Sequence, residues 1–558
     1  MEKDTGRKAK GLKMRHGGKI LADALAIQGV KRVFSVPGES FLAALDGLYE
    51  SGIENIVCRQ EGGAAMMAEA HGKLTNTPGV LFVTRGPGAT NASSGIHVAM
   101  HDSTPMVVFV GQIERGHRDR AAFQEVDYRQ FFGGLAKWVA EVDDTARLPE
   151  YISRAFHVAM SGRPGPVVLA LPEDMLSAEA EVADLPAVAA RPATTPTMEA
   201  EAVMALLAGA ERPLVVAGGP LWTVEAGADL ARFAEAQGLP VAAAFRRQDY
   251  IDNRNPHYVG DLSVGMRPDL KAGLQEADLL LLLGTRFGDV ASGGYAVDPA
   301  APGKTIVHVH ADPDELGRVF RPDLGIAAPA PAMLTALAAW NGPGRPEWAA
   351  WREKLRGGYE RWLEPLETPG AVKLERVVKA LPDLLPKDTV IANGAGNYNM
   401  WLHRYHQFTR PKTYLGGTSG SMGYGFPAAI AAALETGKPA LAWEGDGCFQ
   451  MTLNEMSTAV QHGARVIVIV ANNGRYGTIR MHQERSYPGR VSGTDLANPD
   501  FAALARAYGG HGETVERDAD FAPAFERAVA SGGLAVIELR LDPEALTTTQ
   551  TLSEVRGR

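Results

Sequence analysis

Short, unbroken aliphatic runs separated by helical stretches constrain this chain more than any other feature. In the first third they are Val80–Thr84, Met106–Val110 and Val167–Leu171. In the middle they are Leu214–Ala217, Leu279–Leu283 and Ile306–Val309, and in the last third Val390–Ala392, Ala440–Trp443, Arg465–Val470 and Ala535–Leu539. A strand with one wet face alternates apolar and polar residues. Strands that are apolar throughout are covered on both faces, the habit of parallel sheets with helices above and below. The pattern predicts an α/β protein of three doubly wound parallel-sheet domains. In such sheets ligands bind beyond the carboxyl ends of the strands, so the chemistry is sought there.

Two stretches read as linkers. One, from about Ser177 to Glu199, is rich in Ala, Pro and Thr; the other begins at Asn341 and extends to about Pro369. They leave blocks at 14–180, 200–340 and 370–558, each within the roughly 50–250 residues of a typical domain. Net charge is −9, with no Lys/Arg stripe interleaved with aromatics, which speaks against a nucleic-acid partner. The longest apolar runs fall far below the ~18 residues of a membrane span. The two cysteines, Cys58 and Cys448, form neither metal-ligand spacing nor a disulfide framework, which fits a cytoplasmic protein. The first 19 residues carry seven Lys/Arg and no apolar core, so they are not a signal peptide. Residues 1–13 read as a flexible tail, with the folded part starting near Met14.

The densest chemistry lies in the last block. A strand ends at Glu444 and is followed by Gly445-Asp446-Gly447. Met451–His462 reads as a helix opened by a capping box, Thr452 to Glu455. The next strand ends in Asn472-Asn473. A right-handed βαβ crossover puts both strand ends on one edge of the sheet, so Asp446 and Asn473 can point at one spot. A carboxylate and an amide oxygen are hard ligands, suited to Mg²⁺ or Ca²⁺, and Mg²⁺ commonly completes its shell with substrate phosphates. The flanking glycines would let backbone N–H groups approach a diphosphate.

In the first block, Arg59-Gln60-Glu61-Gly62-Gly63 follows an apolar strand, Ile56–Cys58, and opens an apolar helix. Glu61 reads either as a first-turn glutamate stabilising the helix dipole or as an acid whose burial tunes it for proton transfer.

The wider pattern decides between these. Val36-Pro-Gly-Glu39, Arg59-Gln-Glu61, Thr84-Arg-Gly-Pro-Gly-Ala-Thr-Asn91 and Phe123-Gln-Glu125 resemble the pyrimidine-binding domain of the acetolactate synthase large-subunit-like family of thiamine-diphosphate enzymes. Gly-Asp-Gly, some 25 residues, then Asn-Asn resembles that family's diphosphate motif. The resemblance implies thiamine diphosphate and Mg²⁺ as cofactors. It makes Asp446, Asn473 and the carbonyl of Arg475 the metal ligands, with Gly445, Gly447 and Cys448 beside the cofactor. Glu61 becomes the relay acid, Gln124 a neighbour of the thiazolium and Phe123 a wall of the substrate pocket. Gly416–Ala429 looks like the segment that bends the cofactor, with Met422 wedged between its rings and the carbonyl of Gly420 on its amino group. Asn397 and Tyr398 stand where relatives contact the diphosphate. The implied activity is decarboxylation of a pyruvate-like 2-oxo acid with carboligation to a second carbonyl, a step of branched-chain amino acid biosynthesis. A homodimer or homotetramer with shared sites is implied as well.

The likeness thins elsewhere. In the middle block Ser263–Pro268 and Arg286–Val290 depart from the family's flavin-binding stretches, so FAD is left open. In the substrate loop Thr478 and His482 replace the family's Met and Trp, and Glu173 replaces a Lys at the end of block one. Arg480, His482 and Arg485 would give a cationic face to a substrate carboxylate, or form a solvated lid turn. The competing readings are a non-ligating 2-oxo acid decarboxylase with His482 as proton donor, a flavin oxidoreductase, and a silent regulatory relative. The second needs a Gly-x-Gly-x-x-Gly opening a helix, which Gly218-Gly219-Pro220 does not supply.

Overall fold

A computed structural model describes residues 13–189 and 194–557; apart from Lys13, the basic tail lies outside them. The chain packs as two compact units that divide near residue 190, with Lys73–Asn76 and His101–Ser103 grouping with the second.

The first unit holds a six-stranded parallel sheet in the order Glu54–Val57, Arg32–Ser35, Gly79–Val83, Met106–Gln112, Pro166–Pro172, Trp138–Glu141. Every residue of Met106–Gln112 and of Pro166–Pro172 is buried, as aliphatic runs covered on both faces require. A fully buried Val, Leu or Ile contributes about 1.5–3 kcal/mol relative to exposure. The strand order reverses between Arg32–Ser35 and Gly79–Val83, and the loops after these strands diverge to leave a crevice.

The second unit contains two six-stranded parallel sheets. The middle one runs Tyr258–Leu262, Val241–Ala244, Pro213–Ala217, Leu279–Leu283, Thr305–His310, Leu324–Ala327. The last runs Tyr414–Gly416, Ile391–Asn393, Ala440–Gly445, Val466–Asn472, Ala535–Arg540, His511–Val515. The last sheet has the same connectivity as the sheet of the first unit, and the middle one does not. The three parallel-sheet domains expected from the aliphatic runs are therefore present.

Both linker readings need correction. Glu179–Glu181, at the start of the first, pairs antiparallel with Met14–His16. Residues 349–362 of the second form a helix, Ala349–Trp362, that belongs to the middle sheet's packing. Its apolar residues recur at helical spacing: Trp351, Leu355 and Tyr359 are buried. The Trp351 indole also donates to the Pro213 carbonyl at 2.9 Å.

The capping box at Thr452 does not form. The Thr452 hydroxyl donates instead to the Gly423 carbonyl at 2.8 Å. The expected helix Met451–His462 is instead a 3-10 turn, Leu453–Glu455, followed by a short helix, Met456–Gln461, and a separate short helix, Asp446–Phe449, precedes both.

Candidate active site

In the first unit Glu61 opens the helix Glu61–Thr75 and is 8% exposed. Its carboxylate does not cap that helix. Gln60 Oε1 does, accepting from Gly62 N at 2.7 Å and Gly63 N at 3.1 Å. Glu61 Oε2 accepts from the Asn91 amide at 3.0 Å. A Cβ at Gly88 would stand 3.1 Å from Oε1 and 2.7 Å from the Thr84 methyl, so glycine keeps this carboxyl reachable. Gln124 adopts a left-handed backbone with φ +66°, and a Cβ at Gly86 would meet the Gln124 Cβ at 2.8 Å. Gly86 N donates to the Tyr128 hydroxyl at 2.8 Å; burial pushes that phenol up to about 12. Phe123 is 73% exposed in the single chain.

In the second unit a cavity of about 230 Å³ opens where the strand order of the last sheet reverses, between Ile391–Asn393 and Ala440–Gly445. Its walls bring together Asn397, Tyr398, Gly420, Met422, Gly445, Asp446, Gly447, Cys448, Asn473, Arg475 and Thr478. The glycines are needed for their size. A Cβ at Gly445 would stand 2.7 Å from the Tyr398 ring, and one at Gly447 2.5 Å from the Tyr476 ring. Gly420 has φ +66°.

Asp446 is held from several sides. Oδ1 accepts from Gly447 N at 2.8 Å, and Oδ2 from Gly474 N at 2.9 Å and the Asn498 amide at 2.7 Å. Burial raises its carboxyl above the ordinary value, and these hydrogen bonds oppose the rise. Asn473 Oδ1 accepts from Arg475 N at 3.2 Å, which turns the amide oxygen and the Arg475 peptide around one corner of the cavity. Behind the wall lies Glu444, fully buried, accepting from Tyr398 Oη at 3.1 Å and Phe426 N at 2.8 Å. Desolvation pushes it up to about 7. The Cys448 thiol is raised by the same burial.

The substrate loop forms a helix, Gly477–Ser486. Thr478 Oγ1 donates to Asn397 Oδ1 and accepts from Asn397 N, both at 2.9 Å, tying this helix to the loop after Ile391–Asn393. The expected cationic face is not assembled. Arg480 is 7% exposed and paired with Glu484 at 2.9 Å, while His482 and Arg485 are exposed and line no part of the cavity. Arg480 and Glu484 are four apart on a helix, the spacing at which opposite charges pair, and that signal was legible. Asn498 carried none: it reaches Asp446 across 52 positions from an irregular segment. Among the described residues no group of three or more His, Cys, Asp and Glu side chains forms a metal cage, and no helix is long and apolar enough to cross a membrane.

Comparison with known proteins defines the class first. Models of the thiamine pyrophosphate enzymes match along the chain: the N-terminal TPP binding domain over residues 15–131, the central domain over 200–337 and the C-terminal TPP binding domain over 394–539. The acetolactate synthase isozyme 2 large subunit of Escherichia coli is 31% identical over 94% of this chain and 96% of its own length. The acetolactate synthase large subunit of Corynebacterium glutamicum is 32% identical over 92% and 84%. The mitochondrial acetolactate synthase catalytic subunit of Saccharomyces cerevisiae is 31% identical over 94% and 80%. This chain belongs to the acetolactate synthase large-subunit family of thiamine-pyrophosphate-dependent enzymes.

Proposed function

We propose that this enzyme removes CO₂ from a pyruvate-like 2-oxo acid and joins the remaining acyl unit to a second carbonyl compound, in the manner of acetolactate synthase. The observation that carries the reading is the cavity that gathers Asp446, Asn473 and Arg475 on one side and Gly420 and Met422 on the other. Three hard oxygens, from the Asp446 carboxylate, the Asn473 amide and the Arg475 carbonyl, suit Mg²⁺ with diphosphate oxygens completing the shell. Gly445 and Gly447 let the Tyr398 and Tyr476 rings pack directly against the backbone beside this cavity.

Thiamine diphosphate, when bound, supplies a nucleophilic carbon able to hold the electron pair that CO₂ leaves behind. The rest falls to the chain. Glu61, buried and aligned by Asn91, holds and moves the proton at its carboxyl oxygen. Met422 and Gly420 fix the orientation of the bound ring system. Glu61 and the Asp446 cavity belong to different units, and the reading builds each site from Glu61 of one chain and the Asp446 cavity of a second in a homo-oligomer with shared sites. His482 is exposed and lines no part of the Asp446 cavity.

A cavity of about 310 Å³ lies where the middle sheet's order reverses, with Gly219, Gly284, Arg247, Arg286 and Arg318 on its wall. Positive-φ glycines beside arginines suit a phosphate-bearing ligand, of which FAD is one. The visible spectrum of the purified protein tests this, since a colourless preparation removes FAD.

The test of the main reading is product analysis. Enzyme, thiamine diphosphate, Mg²⁺ and pyruvate should yield CO₂ and a carboligation product identified by NMR. CO₂ with acetaldehyde alone would refute carboligation.

A further inference from the structure

Two consecutive arginines follow the middle-sheet strand Val241–Ala244, and the first breaks two ordinary rules. Arg247 N closes a turn on the Ala244 carbonyl at 3.0 Å, and Arg246, the third residue of that turn, has φ +59°. Glycine or asparagine fills such a position with least strain. Arg246 is also only 4% exposed. Its Nη2 donates to the Gly394 carbonyl at 2.7 Å, while Nε and Nη1 find no hydrogen-bond partner among the described residues. A buried cation held by so few bonds is unfavourable. Local strain of this kind persists where the surroundings hold it, and it clusters at functional sites.

Gly394 opens the loop after Ile391–Asn393, and the next residues, Ala395, Gly396 and Asn397, line the Asp446 cavity. The Gly394 carbonyl also accepts from the Asn399 amide at 3.0 Å. A Cβ at Gly394 would stand 2.1 Å from Cys448 Sγ, so this peptide is packed from behind and held from in front.

Arg247 reaches the other wall of the same cavity. Its Nη1 donates back to the Arg246 carbonyl at 2.6 Å, which stiffens the turn, and its Nη2 donates to Asp102 Oδ1 at 3.3 Å. Asp102 groups with the second unit, and its side chain is fully buried. The same Oδ1 accepts from Thr418 N at 2.8 Å and from the Thr418 hydroxyl. Oδ2 pairs with Lys73, which donates in turn to the Gly416 carbonyl at 3.2 Å. Burial by itself would raise the Asp102 carboxyl; Lys73 and Arg247 override that and hold it well below its ordinary value. The ionised Asp102 thus grips the segment whose Gly420 and Met422 line the cavity.

We infer that Arg246 and Arg247 are positioning residues for the Asp446 cavity. Arg246 sets the wall at residues 394–397, and Arg247, through Asp102, sets the wall at residues 416–422. The inference rests on the proposed function, because these walls are the ones that would hold thiamine diphosphate. Ile391–Asn393 and Tyr414–Gly416 are neighbouring strands, and one stiff turn of the middle sheet fixes the loops that leave both. Walls fixed before binding need not be ordered by the ligand, which strengthens binding.

The experiment uses the full chain. Calorimetry reads thiamine diphosphate binding in the presence of Mg²⁺, and thermal unfolding of the cofactor-free protein reads the scaffold. Arg246→Gly suits the left-handed turn and removes the guanidinium. It should weaken binding about tenfold with the unfolding midpoint unchanged or raised. Arg247→Met should weaken binding by a similar factor, and Arg247→Lys, which keeps a cation for Asp102, should recover most of the loss. Thr418→Val removes only the hydroxyl contact and should give a severalfold loss, so the second wall is tested even if Arg247→Met does not fold. Wild-type affinity in Arg246→Gly and Thr418→Val overturns the inference while leaving the function standing. Losses of affinity confined to variants whose midpoint falls overturn it as well. A wild type that binds no thiamine diphosphate overturns the function and the inference with it.

Discussion

Asn498 donates its side-chain amide to Asp446 Oδ2 at 2.7 Å and also to Asn472 Oδ1 at 2.8 Å. It therefore locks the proposed metal carboxylate to the end of the neighbouring strand. Groups that orient a metal ligand from behind are worth about 10–100-fold in metal affinity. Asn498→Ala should raise the Mg²⁺ concentration for half-maximal activity by that factor, with maximal rate at saturating Mg²⁺ recovered to within a few-fold. A Mg²⁺ titration of activity checks this, and an unchanged half-saturation would release Asn498 from the role.

Glu61→Gln keeps the shape and the hydrogen bond from Asn91 but removes the acid. General acid–base groups contribute about 10²–10⁴-fold, and CO₂ release from pyruvate should fall by that much. Thiamine diphosphate affinity, followed by calorimetry, should change little. Equal loss of binding and rate would assign Glu61 to the scaffold instead.

The substrate-loop helix is tied to the C-terminus through Glu484, which accepts from Arg480 at 2.9 Å, Arg556 at 2.9 Å and Gly489 N at 2.8 Å. Hydrogen bonds from Arg556 and Gly489 N hold its carboxyl down to about 2, below the ~4.3 of a free glutamate. The folded pKa is the lower one, so the contribution is fully present above about pH 4.3 and is lost as pH falls toward 2. Hydrogen exchange should show the segment Leu552–Arg556 opening across that window, and Glu484→Gln should show it open at neutral pH as well.

Trp351 fastens the helix Ala349–Trp362 to the middle sheet, both by burial and through its indole bond to Pro213. Truncating a buried Trp costs about 3–5 kcal/mol. Trp351→Ala should lower the urea midpoint of the transition that unfolds the second unit. A midpoint unchanged within error would mean that the helix is dispensable to that packing.

What the sequence revealed of the fold follows from range. The central strands, such as Leu279–Leu283 and Val466–Asn472, declare themselves because burial on both faces demands aliphatic residues at every position. The edge strand His511–Val515 carries charge on its wet side, and no aliphatic run marks it. The same holds at the site. Asp446 and Asn473 are legible together because one βαβ unit fixes their geometry. Asn498 reaches Asp446 from a separate segment, and no local pattern encodes that meeting. Arg480 misled because its charge was counted without its neighbour Glu484, one helical turn away.

The Gln60 cap has a further consequence. Because the residue before it caps its helix, position 61 is relieved of the capping role at that terminus. Architecture and reactivity are inherited there at adjacent but separate positions. A change at 61 leaves the Gln60 cap in place, so the proposed proton-moving acid can vary without unmaking the terminus that presents it.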